Sequence, residues 1–102
     1  AIGELAARLW ALRSMSIGVA ALMEQGGAPN VEAALVKDLG TRFEGDVAEA
    51  ARRLYALEPS LESADALSRF AAQAVLHSPA YTLRGGANEI LRGIVARGLG
   101  LR

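Results

Sequence analysis

The chain has 102 residues, no cysteine, one histidine, and 11 basic against 11 acidic residues, for a formal net charge of zero. That length fits one small domain or part of a larger one, and residues 1–102 read as a single helical unit. The composition excludes a disulfide framework, a thiolate zinc site and a cysteine nucleophile. The lone His77 cannot build a histidine metal cluster, so no metal site is expected. Zero net charge argues against nucleic acid and anionic membrane as partners, since both need a basic surface. Ten of the 11 basic residues are Arg and only Lys37 is Lys, which suits bidentate ion pairing.

Hydrophobic residues make up 52 % of the chain and aromatics only 5 %. Most of that apolar content is Ala and Leu, the strongest helix formers. An all-helical domain is expected. Arg8, Arg13 and Glu24 interrupt the first apolar segment, which argues against a membrane-spanning helix. Glu4 stands where a secretory leader needs basic residues, and a cytoplasmic location is expected. The chain opens directly into helical pattern, as a piece of a longer protein does.

The first helix is predicted from about Ile2 to Gln25. Leu5, Leu9, Leu12, Ser16, Val19 and Met23 recur at steps of four and three and define one face. Glu4 and Arg8 form an i,i+4 pair, and Gly26-Gly27 ends the helix. The second helix follows Pro29, with Asn30 as N-cap and a drifting stripe from Val31 through Leu35, Leu39, Phe43 and Val47 to Leu57. Asp38–Arg42 and Glu49–Arg53 are spaced as ion pairs on polar faces. Gly40 and Gly45 inside this pattern are read as points of close helix–helix approach rather than a hinge. The third helix is predicted from about Ser63 to Leu76, with Ala64, Leu67, Ala71 and Ala74 inward, an outer Asp65–Arg69 pair, and Ser78-Pro79 as its end. The fourth runs from about Ala87 to Arg97 on an Ile90, Leu91, Ile94, Val95 face, and Gly98 and Gly100 read as a fraying end. Four helices with short connections and no strand pattern predict an antiparallel four-helix bundle, up-down-up-down.

Few residues could do chemistry unaided. His77, near a helix end, is read as a capping or packing residue rather than a general base. No Ser-His-Asp spacing and no Glu-x-x-His pair is present. One segment stands out, from Tyr81 through Arg84-Gly85-Gly86-Ala87-Asn88-Glu89 to Arg92. A double glycine before a helix lets backbone N–H groups approach an anion. By itself it is better read as a tight interhelical loop.

Gly85-Gly86-Ala87-Asn88-Glu89-Ile90-Leu91-Arg92, followed by Ile94-Val95-Ala96-Arg97 and Leu99-Gly100-Leu101, resembles the C-terminal signature of the acyl-CoA dehydrogenases. That family commonly ends in Gly-Gly-Thr-Asn-Glu-Ile-x-Arg-x-Ile-x-Ala-Arg and a Leu-Gly-Leu tail. Gly3-Glu4-Leu5-Ala6-Ala7-Arg8 and Ala28-Pro29-Asn30 before a helix carrying Lys37 are similar to its upstream part. The resemblance spans nearly the whole chain and covers the C-terminal helical domain alone. It implies a parent protein that uses FAD to oxidise the α,β bond of an acyl-CoA thioester in fatty acid metabolism, as a homo- or hetero-oligomer. A carboxylate removes the α-proton there and the flavin takes the β-hydride.

Carried over residue by residue, Gly85 occupies the glutamate-base position, so no catalytic residue is expected in this chain. Gly86 matches the glycine that approaches the substrate thioester. Ala87, Asn88 and Glu89 match residues lying against the flavin nucleotide. Ala87 stands where the family has Thr or Ser. Arg53-Leu54-Tyr55-Ala56-Leu57 stands where the family has Gln-x-x-Gly-Gly. The segment from Glu58 to Pro79 resembles a divergent, actinobacterial-type branch. Alone, the chain is expected to be inactive. The alternative is a non-catalytic oligomerisation domain of a dehydrogenase-like protein that has lost its flavin or its base.

Overall fold

Alanine and leucine are the commonest residue types in the chain, and most of the described residues are helical. The computed structural model describes residues 2–55, 58–83 and 86–101. They form four helices: α1 (Ile2–Glu24), α2 (Asn30–Leu54), α3 (Ala66–Tyr81) and α4 (Asn88–Gly98). No strand occurs among the described residues. The fold is an all-α four-helix bundle, as the sequence predicts.

The bundle is organised around α2, on which the other three helices all pack. Arg8 meets Asp46, and Val19 and Leu22 share a groove with Glu32 and Leu35, so α1 is antiparallel to α2. Asn88 meets Thr41, Arg92 meets Asp38, and Gly98 abuts Val31. α4 therefore also runs antiparallel to α2, which corrects the expected up-down-up-down order, in which α4 would run parallel to α2. The end of α3 lies beside Thr41–Asp46, and α4 begins beside Asp38 and Thr41.

Helix ends follow local chemistry. Gly26 adopts φ +83°, Gly26 N–H donates to Met23 O and Gly27 N–H to Leu22 O, both at 3.0 Å. This is the paired closure that a left-handed residue permits. Gly100, at φ +81°, repeats it: its N–H reaches Arg97 O and Leu101 N–H reaches Ala96 O. Gly98 is accordingly the last helical residue rather than part of a fraying end. Pro29, not Asn30, is the N-cap of α2, and no side chain caps that end. Asp65 caps α3 by accepting from Ser68 N–H at 3.0 Å, and Arg69 donates to the Ser63 and Ala64 carbonyls instead of pairing outward with Asp65. The third helix does not stop at Ser78-Pro79. Pro79 lies inside its last turn, where it cannot donate to Val75 O, and Ser78 Oγ donates to that carbonyl at 2.9 Å. His77 thus lies within the helix, exposed.

Packing chose faces that periodicity did not. In α1 the half-buried positions are Leu5, Arg8, Leu12, Met15 and Val19, whereas Leu9, Ser16 and Met23 are exposed. A helix apolar on every side offers no preferred face. What fixes the face is Arg8, which donates to Asp46 at 2.7 Å and lies over the Phe43 ring, 5.1 Å from its centroid, rather than pairing along its own helix with Glu4. By length and composition alone α1 could cross a membrane. Such a helix near an N-terminus is weak evidence for a span, and here α1 packs on α2.

On α2 the buried residues are Ala34, Asp38 and Thr41, while Leu35, Val47 and Leu54 are exposed. Asp38 is 4 % exposed and does not sit on a polar face. Glu49 does, and it holds both Arg52 and Arg53. A methyl added at Gly40 or Gly45 meets nothing within 4 Å, so neither glycine marks a close approach. Gly98 does: its added methyl would collide with Val31. Ala72 is the buried residue of α3, and Leu67, Phe70 and Val75 are exposed. In α4 Leu91 is buried, Ile94 and Val95 are half-buried, and Ile90 faces outward.

Candidate functional site

The segment singled out by its double glycine leads into α4. Arg84 and Gly85, and with Gly85 the family's base position, lie outside the described residues. Gly86 has φ +129°, a backbone that side-chain-bearing residues rarely adopt. Space does not impose glycine here, since an added Cβ would lie 3.8 Å from Leu91 Cδ2, an ordinary contact. The conformation does. Ala87 follows as N-cap in extended conformation (φ −73°, ψ 151°), with no side-chain cap. The first turn of α4 is therefore open at its donor end. Glu89, in that turn, is exposed.

Asn88 points the other way. It is 4 % exposed, Thr41 Oγ1 donates to its Oδ1 at 3.2 Å, and its Nδ2 donates to Asp38 O at 3.4 Å. Of the residues aligned with the flavin nucleotide, Ala87 and Glu89 thus sit at the open end of α4. Asn88 ties that end to α2.

Beneath Asn88 lies a polar knot absent from the sequence reading. The Asp38 carboxylate holds Arg42 Nη2 at 2.8 Å on Oδ2 and Arg92 Nε at 3.5 Å on Oδ1. The longer contact is an ion pair without a hydrogen bond, which leaves Oδ1 without a hydrogen-bond donor. The Asp38 carbonyl also accepts from Arg42 Nε, and the Thr41 hydroxyl lies 3.3 Å from it, nearer to Lys37 O at 2.9 Å. A buried carboxylate is stable only with such charge-assisted partners. One signal was legible: Ala34, Asp38, Thr41, Gly45 and Ala48 form a stripe of small or polar residues at helical spacing, offset from the apolar stripe.

Two depressions flank this region. One, of about 500 Å³, is of mixed polarity and bordered by Arg8, Leu39, Arg42, Asp46, Pro79 and Thr82. The other, of about 410 Å³, is apolar and lies between α1 and α2, lined by Met15, Val19, Leu22, Leu35 and Val36. Among the described residues no group of three or more His, Asp or Glu could hold a metal ion.

No individual characterised protein and no solved structure matches the chain. The family described as acyl-CoA dehydrogenase, C-terminal domain, matches residues 1–100. The left-handed Gly86, the buried Asn88 and the four-helix architecture lie within that match, and the chain belongs to the acyl-CoA dehydrogenase C-terminal domain family.

Proposed function

We propose that this chain is the helical C-terminal part of an FAD-dependent, acyl-CoA dehydrogenase-like protein whose complete form oxidises the α,β bond of an acyl-CoA thioester. The supporting observation is the open N-terminus of α4. A glycine with no side chain and a cap residue with no polar group leave the first-turn N–H groups available, and the helix dipole favours an acceptor there. These residues fit FAD. Glu89 in the same turn disfavours a phosphate, so main-chain atoms at Ala87 and Glu89 suit the neutral polar edge of the nucleotide. Asn88 serves by holding the turn in place, and Gly86 would border the thioester. When bound, FAD supplies the hydride acceptor. This chain offers no base, because Gly85 has no proton-accepting group. The isolated chain is accordingly inactive.

The same reading assigns the outer helix faces to subunit contacts in a homo- or hetero-oligomer. Trp10 is 73 % and Phe70 64 % exposed, and an apolar groove lies between α1 and α2. We also place the parent in the cytoplasm and in fatty acid metabolism, and, from the 58–79 segment alone, in a divergent, actinobacterial-type branch. A second reading, a structural oligomerisation domain without flavin, draws on those exposed faces and on Gly85.

The visible absorption spectrum of the desalted full-length parent decides between them. A flavin band supports the first reading. A colourless, folded protein transfers the chain to the second.

A further inference from the structure

We infer that Asp38 is a positioning residue: its buried carboxylate, clamped between Arg42 and Arg92, sets the seat of α4 on α2 and thereby the placement of the Gly86–Ala87 turn. Four groups converge on this one residue. Arg42 and Arg92 reach its two carboxylate oxygens from two different helices. Asn88 and Thr41 reach its carbonyl oxygen. Asn88 and Arg92 are four apart on α4, so one residue of α2 holds two successive turns of the short helix. Asp38 is 4 % exposed, whereas the Arg42 and Arg92 side chains are 46 % and 56 % exposed. The fixed element is the buried anion, and the arginines adapt to it. Leu91 is the only buried apolar side chain of α4 among the described residues, so apolar packing alone leaves the register of an 11-residue helix weakly specified. A buried, directional charge is what selects one register among several.

The inference rests on the proposed function only for what the turn is used for. The test uses the full-length parent with Asp38→Asn, which keeps the shape and removes the charge, and Arg92→Gln, which changes a half-exposed residue and preserves the buried one. Two readouts are taken: amide hydrogen exchange of Leu91, whose N–H bonds Ala87 O in the first turn of α4, and the Kd for FAD.

Both variants are expected to raise Leu91 exchange about tenfold while α1 and α2 amides keep their protection. The Kd for FAD is expected to rise about tenfold as well, since sub-ångström misplacement of a binding turn is costly. Unchanged Leu91 exchange in both variants overturns the inference. So does an exchange increase spread evenly over all four helices, which is the mark of mere loss of stability. If the wild type binds no FAD, the proposed function fails, and the exchange readout still decides the role of Asp38.

Discussion

Replacing Gly98 by alanine sets two opposed effects against each other at one methyl group. Alanine is favoured over glycine in a helix by about 1 kcal/mol, less at the last position. Against this, the new Cβ would collide with Val31 Cγ2, and Val31 Cβ and Cγ1 both lie at 3.3 Å. Rotating Val31 about χ1 to clear Cγ2 is costly, because a β-branched residue in a helix has essentially one rotamer. Either α4 lifts from α2 or the backbone shifts, and overpacking of this kind costs about 1–3 kcal/mol. The net expectation is a destabilisation of about 0–2 kcal/mol. The internal control is Gly40→Ala: its methyl meets nothing within 4 Å, so only the helix term remains and stability should rise by about 1 kcal/mol. Urea titrations followed by far-UV circular dichroism measure both. In a Val31→Ala background the collision is removed, and Gly98→Ala should then stabilise as Gly40→Ala does. If Gly98→Ala stabilises the unmodified chain as much as Gly40→Ala, the close approach of α4 to the start of α2 is refuted.

Three further outcomes are expected. Ala87→Ser should stabilise by about 0.5–2 kcal/mol, because Ala87 already has N-cap geometry and lacks only the oxygen that accepts a first-turn N–H; thermal unfolding checks this, and an unchanged midpoint contradicts it. Asp65→Ala should lose about 1 kcal/mol with the cap on Ser68 N–H, and Asp65→Asn should recover most of it. Hydrogen bonds from Arg52 and then Arg53 pull the Glu49 carboxyl from 4.5 down to about 2. Its folded pKa lies below its unfolded one, so the stability it contributes is complete above pH 4.5 and is lost as pH falls toward about 2. Urea midpoints between pH 5 and pH 2 should therefore fall less steeply in Glu49→Gln.

The number, order and chemistry of the helices were legible because they depend on neighbours in the chain. Ala and Leu content specified helix everywhere, and Gly26 ended α1 as a left-handed glycine should. Local signals misled where a tertiary or side-chain substitute was available. Pro79 reads as a stop, yet Ser78 satisfies the carbonyl that the proline leaves open. Gly40 and Gly45 read as contact points, whereas the contact lies at Gly98, a position that looked like a loose end. At the candidate site, a glycine turn ahead of α4 with Glu89 in its first turn follows from the motif. The inward turn of Asn88 does not.

The sequence by itself determined that the chain is all-helical, that it has four helices, and, through the Gly85–Arg92 signature, which family it belongs to. Those properties are written in local propensity and in residue identity. Only the tertiary structure decided which side of each helix is inside. The outer and inner faces of α1 are almost equally apolar, and a choice between equal faces is made by a few specific partners. Arg8 found Asp46 and Phe43. Asp38, spaced like any solvated partner of Arg42, became the buried centre because Arg92 of α4 pairs with its carboxylate and Asn88, 50 residues away, bonds its carbonyl. A charge is expelled from an interior unless it is met there, and whether it is met depends on the whole fold.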